Sequence, residues 1–197
     1  MEIIIGSDES LKGDSFGGIC VAAVKADPEV RNLLEEMGVQ DSKKLTDHKI
    51  NVLAQRIKEI AKVYFINLYP EEYNKRVMEL GGVTPLLNKM HTECINSLRS
   101  GFDHAIVDKY PGCDIKNAKL EEKADSLYVE VAAASIIARH EALKQMKDLS
   151  VQAGFTLPLG STHVTDALVK LRDTKLDFNK FTKTSFKNVK FIMETRQ

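Results

Sequence analysis

The chain has 197 residues, 43% of them hydrophobic, and its 28 cationic side chains are balanced by 28 anionic ones. That length suffices for one domain with a real core, while zero net charge argues neither for nor against a nucleic-acid partner. Three widely spaced cysteines, Cys20, Cys94 and Cys113, with no CxxC or Cys/His pattern, argue against zinc and for a reducing, cytoplasmic setting. No signal peptide precedes the first apolar run, and no run approaches membrane-spanning length.

Ile3, Ile4 and Ile5 form a β-branched run that predicts a buried strand. It leads into Gly6-Ser7-Asp8-Glu9-Ser10-Leu11-Lys12-Gly13-Asp14-Ser15-Phe16-Gly17-Gly18. Two adjacent carboxylates thus follow apolar sequence directly, with a lysine and three glycines close behind. Ionised carboxylates are expensive to desolvate unless something positive sits against them. Taken alone, the same residues also fit a strand end with a solvated acidic turn. Phe16 to Ala26 predicts a second strand, and the tight return makes the pair antiparallel. Asp27-Pro28 reads as an N-cap and first-turn proline for a helix with Val30, Leu33, Leu34 and Met37 on its apolar face, stopped at Gly38. Residues 40–47 are polar and loop-like. Ile50, Leu53, Ala54, Ile57 and Ala61 predict a helix over 47–61, and Lys62 to Tyr69 a third strand.

Pro70 to Leu80 reads as a short helix stopped by Gly81-Gly82. The next helix starts at Thr84-Pro85, buries Val83, Leu86, Leu87, Met90, Cys94 and Leu98, and stops at Gly101. Ala105 to Asp108 is a short apolar strand that again ends on a carboxylate, and a fifth strand is expected around Lys119 to Glu122. Ala124-Asp125-Ser126 precedes a long helix, Val129 to Leu149, whose Ala132, Ala133 and Ala134 allow it to lie close to a sheet. Residues 161–172 predict another helix. Residues 178–194 predict a last one, with Phe178, Phe181, Phe186 and Phe191 as core candidates. From Lys170 to Lys190 the local net charge is +5, which fits a solvated helical surface or a phosphate-facing one.

These elements define an α/β fold with a mixed five-stranded sheet flanked by helices: a domain over residues 1–150 and a helical C-terminal extension over 151–197 packed on it. If the first and fourth strands are neighbours, Asp8, Glu9, Asp108 and Asp125 converge. Four carboxylates in one cleft repel, and their pKa values rise. Divalent cations relieve that repulsion, and oxygen-only ligation suits Mg²⁺ or Mn²⁺. Two such ions can activate water and stabilise the leaving oxygen of a phosphoryl displacement. Each acid also has a plainer role available, Asp108 capping a turn and Asp125 capping the long helix.

GSDESLKGDSFGG, DSKKLTD, LLNKMHTECINSL, AIVDKY and KADSLYVEVAAASIIARHEAL occur in this order. Together they resemble the type 2 ribonucleases H, the ribonuclease HII/HIII group, and most of all ribonuclease HIII; LPLGSTHV and TKTSFKNVKF extend the likeness more loosely. The resemblance implies a ribonuclease H-like fold and an RNA/DNA hybrid cut in its RNA strand, leaving 3′-hydroxyl and 5′-phosphate ends. It implies that Asp8, Glu9, Asp108 and Asp125 hold two Mg²⁺ or Mn²⁺ ions. It implies that Ser10, Leu11, Lys12 and Gly13, and the loop residues Ser42, Lys43 and Lys44, meet the nucleic-acid backbone, with RNA recognised through its 2′-hydroxyls. A monomer is the default expectation.

Three departures stand out. The family carries glycine where this chain has Leu11, so leucine is expected to add bulk where backbone should approach sugar, and Leu11→Gly to raise cleavage. With the sequence opening on the first strand, the N-terminal substrate-binding domain usual in ribonuclease HIII is not expected. The fourth acid is Asp125, as in ribonuclease HII, where ribonuclease HIII typically has glutamate. No clear counterpart of the HII junction-sensing tyrosine is found. Two other readings compete: a hybrid-binding protein of the same fold with weakened catalysis, and a GDS-type serine hydrolase using Ser15. The latter lacks an acid three residues before any histidine.

Overall fold

The computed structural model describes residues 2–40 and 42–195, with only the backbone of Lys44. Five strands form one sheet: β1 (Ile4–Ser10), β2 (Ile19–Ala26), β3 (Lys62–Leu68), β4 (His104–Asp108) and β5 (Lys119–Glu121), in the order β3-β2-β1-β4-β5. β1, β2 and β3 pair antiparallel, while β4 runs parallel to β1 and β5 parallel to β4. The helices are α1 (Pro28–Glu36), α2 (Asp47–Ile60), α3 (Pro70–Leu80), α4 (Val83–Leu98), α5 (Val129–Ala153), α6 (Thr165–Asp173) and α7 (Lys187–Glu194). Among the described residues, no helix is long and apolar enough to cross a membrane.

β1 is central and buried, and its side chains alternate between the sheet's two faces. On one face α5 is the backbone of the packing. A β-carbon on Gly6 would stand 2.3 Å from the main chain of Glu130 and Val131, so only glycine lets α5 come this close. Ala132, Ala133, Ala134, Ile136 and Ile137 join one core with Cys20, Ala22 and Val24 of β2 and with Leu53 and Ile57 of α2. Leu168 and Leu171 of α6 and Val189 and Ile192 of α7 belong to the same core, although α5 runs unbroken through residue 150. On the other face Leu86, Leu87, Met90 and Cys94 of α4 meet Ile5, Val21 and Val107.

Capping follows the sequence. The Asp27 side chain accepts from the N–H of Val30 at the start of α1, and Thr46 does the same for α2 through Lys49. The differences lie where apolar spacing misleads. β2 begins at Ile19, because the 11–18 turn is tied to the C-terminal segment: Phe16 bridges Thr182, and Ser15 N–H donates to the carbonyl of Gly160. Leu33 is exposed while Leu34 is buried. Residues 42–44 form a 3-10 turn within the expected loop. α6 starts at Thr165, later than the spacing suggests. The expected last helix is a 3-10 turn, Phe178–Lys180, then a single bridge residue, Thr182, and a turn over 184–186, then α7. Phe178 and Phe181 are core, but Phe191 stands exposed.

Candidate active site

The site begins with register. Ser7 of β1 pairs with Val107 of β4, so the next residues, Asp8 and Asp108, stand side by side just past the last paired residues of these two parallel strands, Asp8 still laddered to Ala22 of β2 and Asp108 to Glu121 of β5. Neighbours in a parallel ladder point to the same face, here the one α5 covers. Asp108 Oδ1 accepts from the N–H of Ala124 at 2.8 Å. That bond ties the end of β4 to a 3-10 turn, Ala124–Ser126, and brings buried Asp125 in just ahead of α5. Glu9, one residue along β1, points to the opposite face. There Lys12 Nζ donates to its Oε1 at 3.0 Å, and His91 Nε2 lies 3.3 Å from its Oε2.

The electrostatics follow from this placement. Burial, and then the charges of Glu9, Asp108 and Asp125, hold the Asp8 carboxyl well above its ordinary range, against one hydrogen bond from the Glu9 N–H at 2.7 Å. Burial also acts to raise Glu9, but His91 and Lys12 outweigh it and keep Glu9 below its usual value. Asp108 is raised by burial, and by Asp125 and Glu9, with the Ala124 N–H and Lys43 opposing. Protonation is therefore favoured at Asp8 and disfavoured at Glu9.

Among the described residues, no three His, Cys, Asp or Glu side chains stand arranged to hold a metal ion between them. The reason is visible at two of the acids. Glu9 is drawn toward Lys12 and His91, and Asp108 toward the Ala124 amide. Mutually repelling carboxylates turn to whatever donors are local. The donor set nonetheless fits a hard divalent cation: it is oxygen-only, partly desolvated, and carries more negative charge than its protein partners balance.

The glycine-rich turn does not have the geometry its sequence suggests. Leu11 adopts a left-handed backbone, φ 68°, yet its side chain is 5% exposed and belongs to the core under α5. Its Cδ1 lies beside Gly17, Met146 and Gln145. The expected side-chain bulk on the outside of the turn is therefore absent. Ser10 and Gly13 lie on either side of it, half-buried and exposed respectively. Lys12 folds back to Glu9 and sits 4.5 Å above the Tyr110 ring. Ser42 is buried, its N–H donating to Ser135 Oγ, and exposed Lys43 lies near enough to act on Asp108. The side chain of Lys44 lies outside the described residues. Ser15 is fully buried, and its Oγ accepts from Asn188 Nδ2 at 2.8 Å, so it has neither the exposure nor the base that a serine nucleophile requires. The serine hydrolase reading fails on that geometry.

Sequence reasoning passed over His91, Tyr110, Gln145 and Lys183. The signal for His91 was present: it falls four residues after Leu87 and three before Cys94, on the apolar stripe of α4, where a histidine must find buried partners. A groove of about 330 Å³ lined by Gln40, Asp125, Ser126 and Tyr128 opens beside Asp125. A larger one of about 580 Å³, between α3 and the C-terminal segment, is lined by none of the four acids.

A mixed sheet whose central parallel strands end in paired acids, beside a third acid at the foot of a buried helix, is the architecture of the ribonucleases H. The structure of Bst-RNase HIII in complex with Mn²⁺ superimposes with a TM-score of 0.85 at 28% identity, covering 98% of this chain and 69% of that one. The model of the ribonuclease HII family matches residues 5–189, and the chain belongs to this family, the type 2 ribonucleases H. Ribonuclease HIII of Limosilactobacillus fermentum is 34% identical over 202 residues, 94% of this chain and 67% of that protein. Ribonuclease HIII of Mycoplasma pneumoniae is 32% identical over 218 residues, covering 94% of this chain and 92% of the relative.

Proposed function

We propose that this type 2 ribonuclease H cuts the RNA strand of RNA/DNA hybrids, with Asp8, Glu9, Asp108 and Asp125 as the ligands of two divalent cations, Mg²⁺ or Mn²⁺. Mn²⁺ in the similar Bst-RNase HIII supports the choice of ion. Bound cations of this kind supply an activated water and neutralise charge on the phosphoryl group, leaving 3′-hydroxyl and 5′-phosphate ends. The observation that carries the reading is the β1–β4 register, which sets Asp8 beside Asp108 with Asp125 tied in through the Ala124 amide.

The protein's own share is positioning. Asp8, whose carboxyl burial and the neighbouring acids make easier to protonate, is the acid whose repulsion a held cation relieves most. Lys12, whose side chain is 36% exposed, is free to swing from Glu9 to a phosphate. The backbone of Ser10, Leu11 and Gly13 lines the approach, and Lys43 faces the same strand end from the 42–44 turn. RNA is preferred where these groups meet 2′-hydroxyls, which DNA lacks. The described part of the C-terminal segment, residues 151–195, shares the core under α5 and braces the glycine-rich turn. Buried, unpaired Cys20 and Cys94 suit a reducing compartment such as the cytoplasm.

The test offers an RNA/DNA hybrid, a DNA duplex and a duplex with one embedded ribonucleotide, each with Mg²⁺ or Mn²⁺, and maps the product ends. Hybrid cleavage lost in Asp8→Asn is the expected result. Tight hybrid binding with no cleavage in either metal would overturn it in favour of a binding protein.

A further inference from the structure

We infer that His91 is a positioning residue: it pins Glu9 through Oε2, so that Oε1 is the one carboxylate oxygen that can be handed from Lys12 to a divalent cation. The inference rests on the proposed role of Glu9 as a cation ligand and adds to it the residue that sets its orientation.

His91 is wholly buried. Nδ1 lies 2.8 Å from Ser7 Oγ, and Ser7 Oγ in turn reaches the carbonyl of Ala22 at 2.8 Å. Nε2 lies 3.3 Å from Glu9 Oε2. Since an ionised carboxylate only accepts, Nε2 carries the hydrogen in this contact. The ring is further fixed by stacking on Tyr110, with centroids 5.5 Å apart, and Tyr110 is itself held by its hydroxyl donating to Asn88 Oδ1 at 2.7 Å. α4 therefore reaches under β1 and grips both Ser7 and Glu9, two residues apart on the same face.

Glu9 has two partners of opposite character. His91 has no exposed surface and no room to leave. The Lys12 side chain is more than one-third exposed and rests on Glu9 Oε1 and the Tyr110 ring. A cation arriving beside Asp8 competes with Lys12 and leaves His91 in place. Freed, the ammonium is available to a substrate phosphate. Partners behind metal-ligating side chains typically change metal affinity about 10- to 100-fold when lost.

The test is calorimetric titration of the full chain with Mn²⁺ alone, in variants of matched polarity. His91→Gln extends an amide to where Nε2 stood; His91→Asn keeps the partner of Ser7 and falls short of Glu9. His91→Gln is expected within about threefold of wild type and His91→Asn about tenfold weaker. In a Glu9→Gln background the same His91→Asn change should cost less than about twofold. Equal affinities for the two His91 variants, or an undiminished cost in the Glu9→Gln background, overturn the inference while leaving Glu9 a ligand. Wild-type Mn²⁺ affinity in Glu9→Gln overturns the ligand role itself. Lys12→Met, on the exposed side, provides a check that does not disturb the buried ring: loss of a competitor for Oε1 should tighten Mn²⁺ binding, and weakened binding counts against the inference.

Discussion

At Asp8, a single buried carboxyl carries the opposition between stability and function. Burial and the neighbouring acids raise its pKa, so a proton and a cation compete for the same carboxyl. Mn²⁺ affinity should therefore climb as pH rises through the acid range, with proton release on binding. Titrations in buffers of different ionisation heat measure this directly. Asp8→Asn removes the repulsion while keeping an oxygen for the Glu9 N–H, so it should unfold later than wild type by about 1 kcal/mol or more while losing cleavage. Leu11 behaves differently from what its sequence context implies. Its left-handed backbone costs roughly 1–2 kcal/mol, yet truncating a buried leucine costs about 2–5 kcal/mol. Leu11→Gly should thus lower stability by about 2 kcal/mol in denaturant titration, with no gain in cleavage rate.

At the scale of elements, the sequence shows where strands stop more clearly than what they stop against. Runs such as Ile3-Ile4-Ile5 and Ala105-Ile106-Val107 are readable as strands because burial on both faces demands unbroken apolar residues. That each ends on an acid is also plain. That β1 and β4 lie adjacent is a property of the sheet order, which local pattern does not encode. The alternation of β1 sends Asp8 and Glu9 to opposite faces, and so explains why two adjacent acids have opposite pKa shifts. The C-terminal stretch was least legible. Phe178, Phe181, Phe186 and Phe191 suggest one helix, but Thr182 and Lys183 pair with the 15–17 turn and break the helix there. Asn188 Nδ2 donates to both Ser15 Oγ and the Ser161 carbonyl. Asn188→Ala should loosen the turn and show in hydrogen exchange as faster exchange at Ser15 and Gly17, with the central strands unaffected.

Across the whole molecule, the glycine-rich turn beside the acids is held by the far end of the chain, and the hub is Lys183. Its ammonium is fully buried, donates to the carbonyls of Asp14 at 2.6 Å and Gly17 at 3.2 Å, and lies near the rings of Tyr73 and Phe186. Burial pulls its pKa down to about 7, against the nearby charge of Asp14. An unfolded lysine titrates near 10.4. Below about pH 7 both states are protonated, and the cost of burying the charge is constant. Between that pH and the ordinary lysine value, the unfolded chain binds the proton and the folded one does not, so this group makes stability rise with pH by up to about 1.4 kcal/mol per unit. Other groups titrate in the same range, including Cys20, whose thiol burial raises. Subtracting the unfolding free energies of Lys183→Met from those of wild type between about pH 7 and pH 9 removes their common contribution. The difference should grow in favour of wild type across that window. A flat difference would mean that Lys183 keeps its proton, and that the two carbonyls and the flanking rings hold a permanent cation beneath the turn.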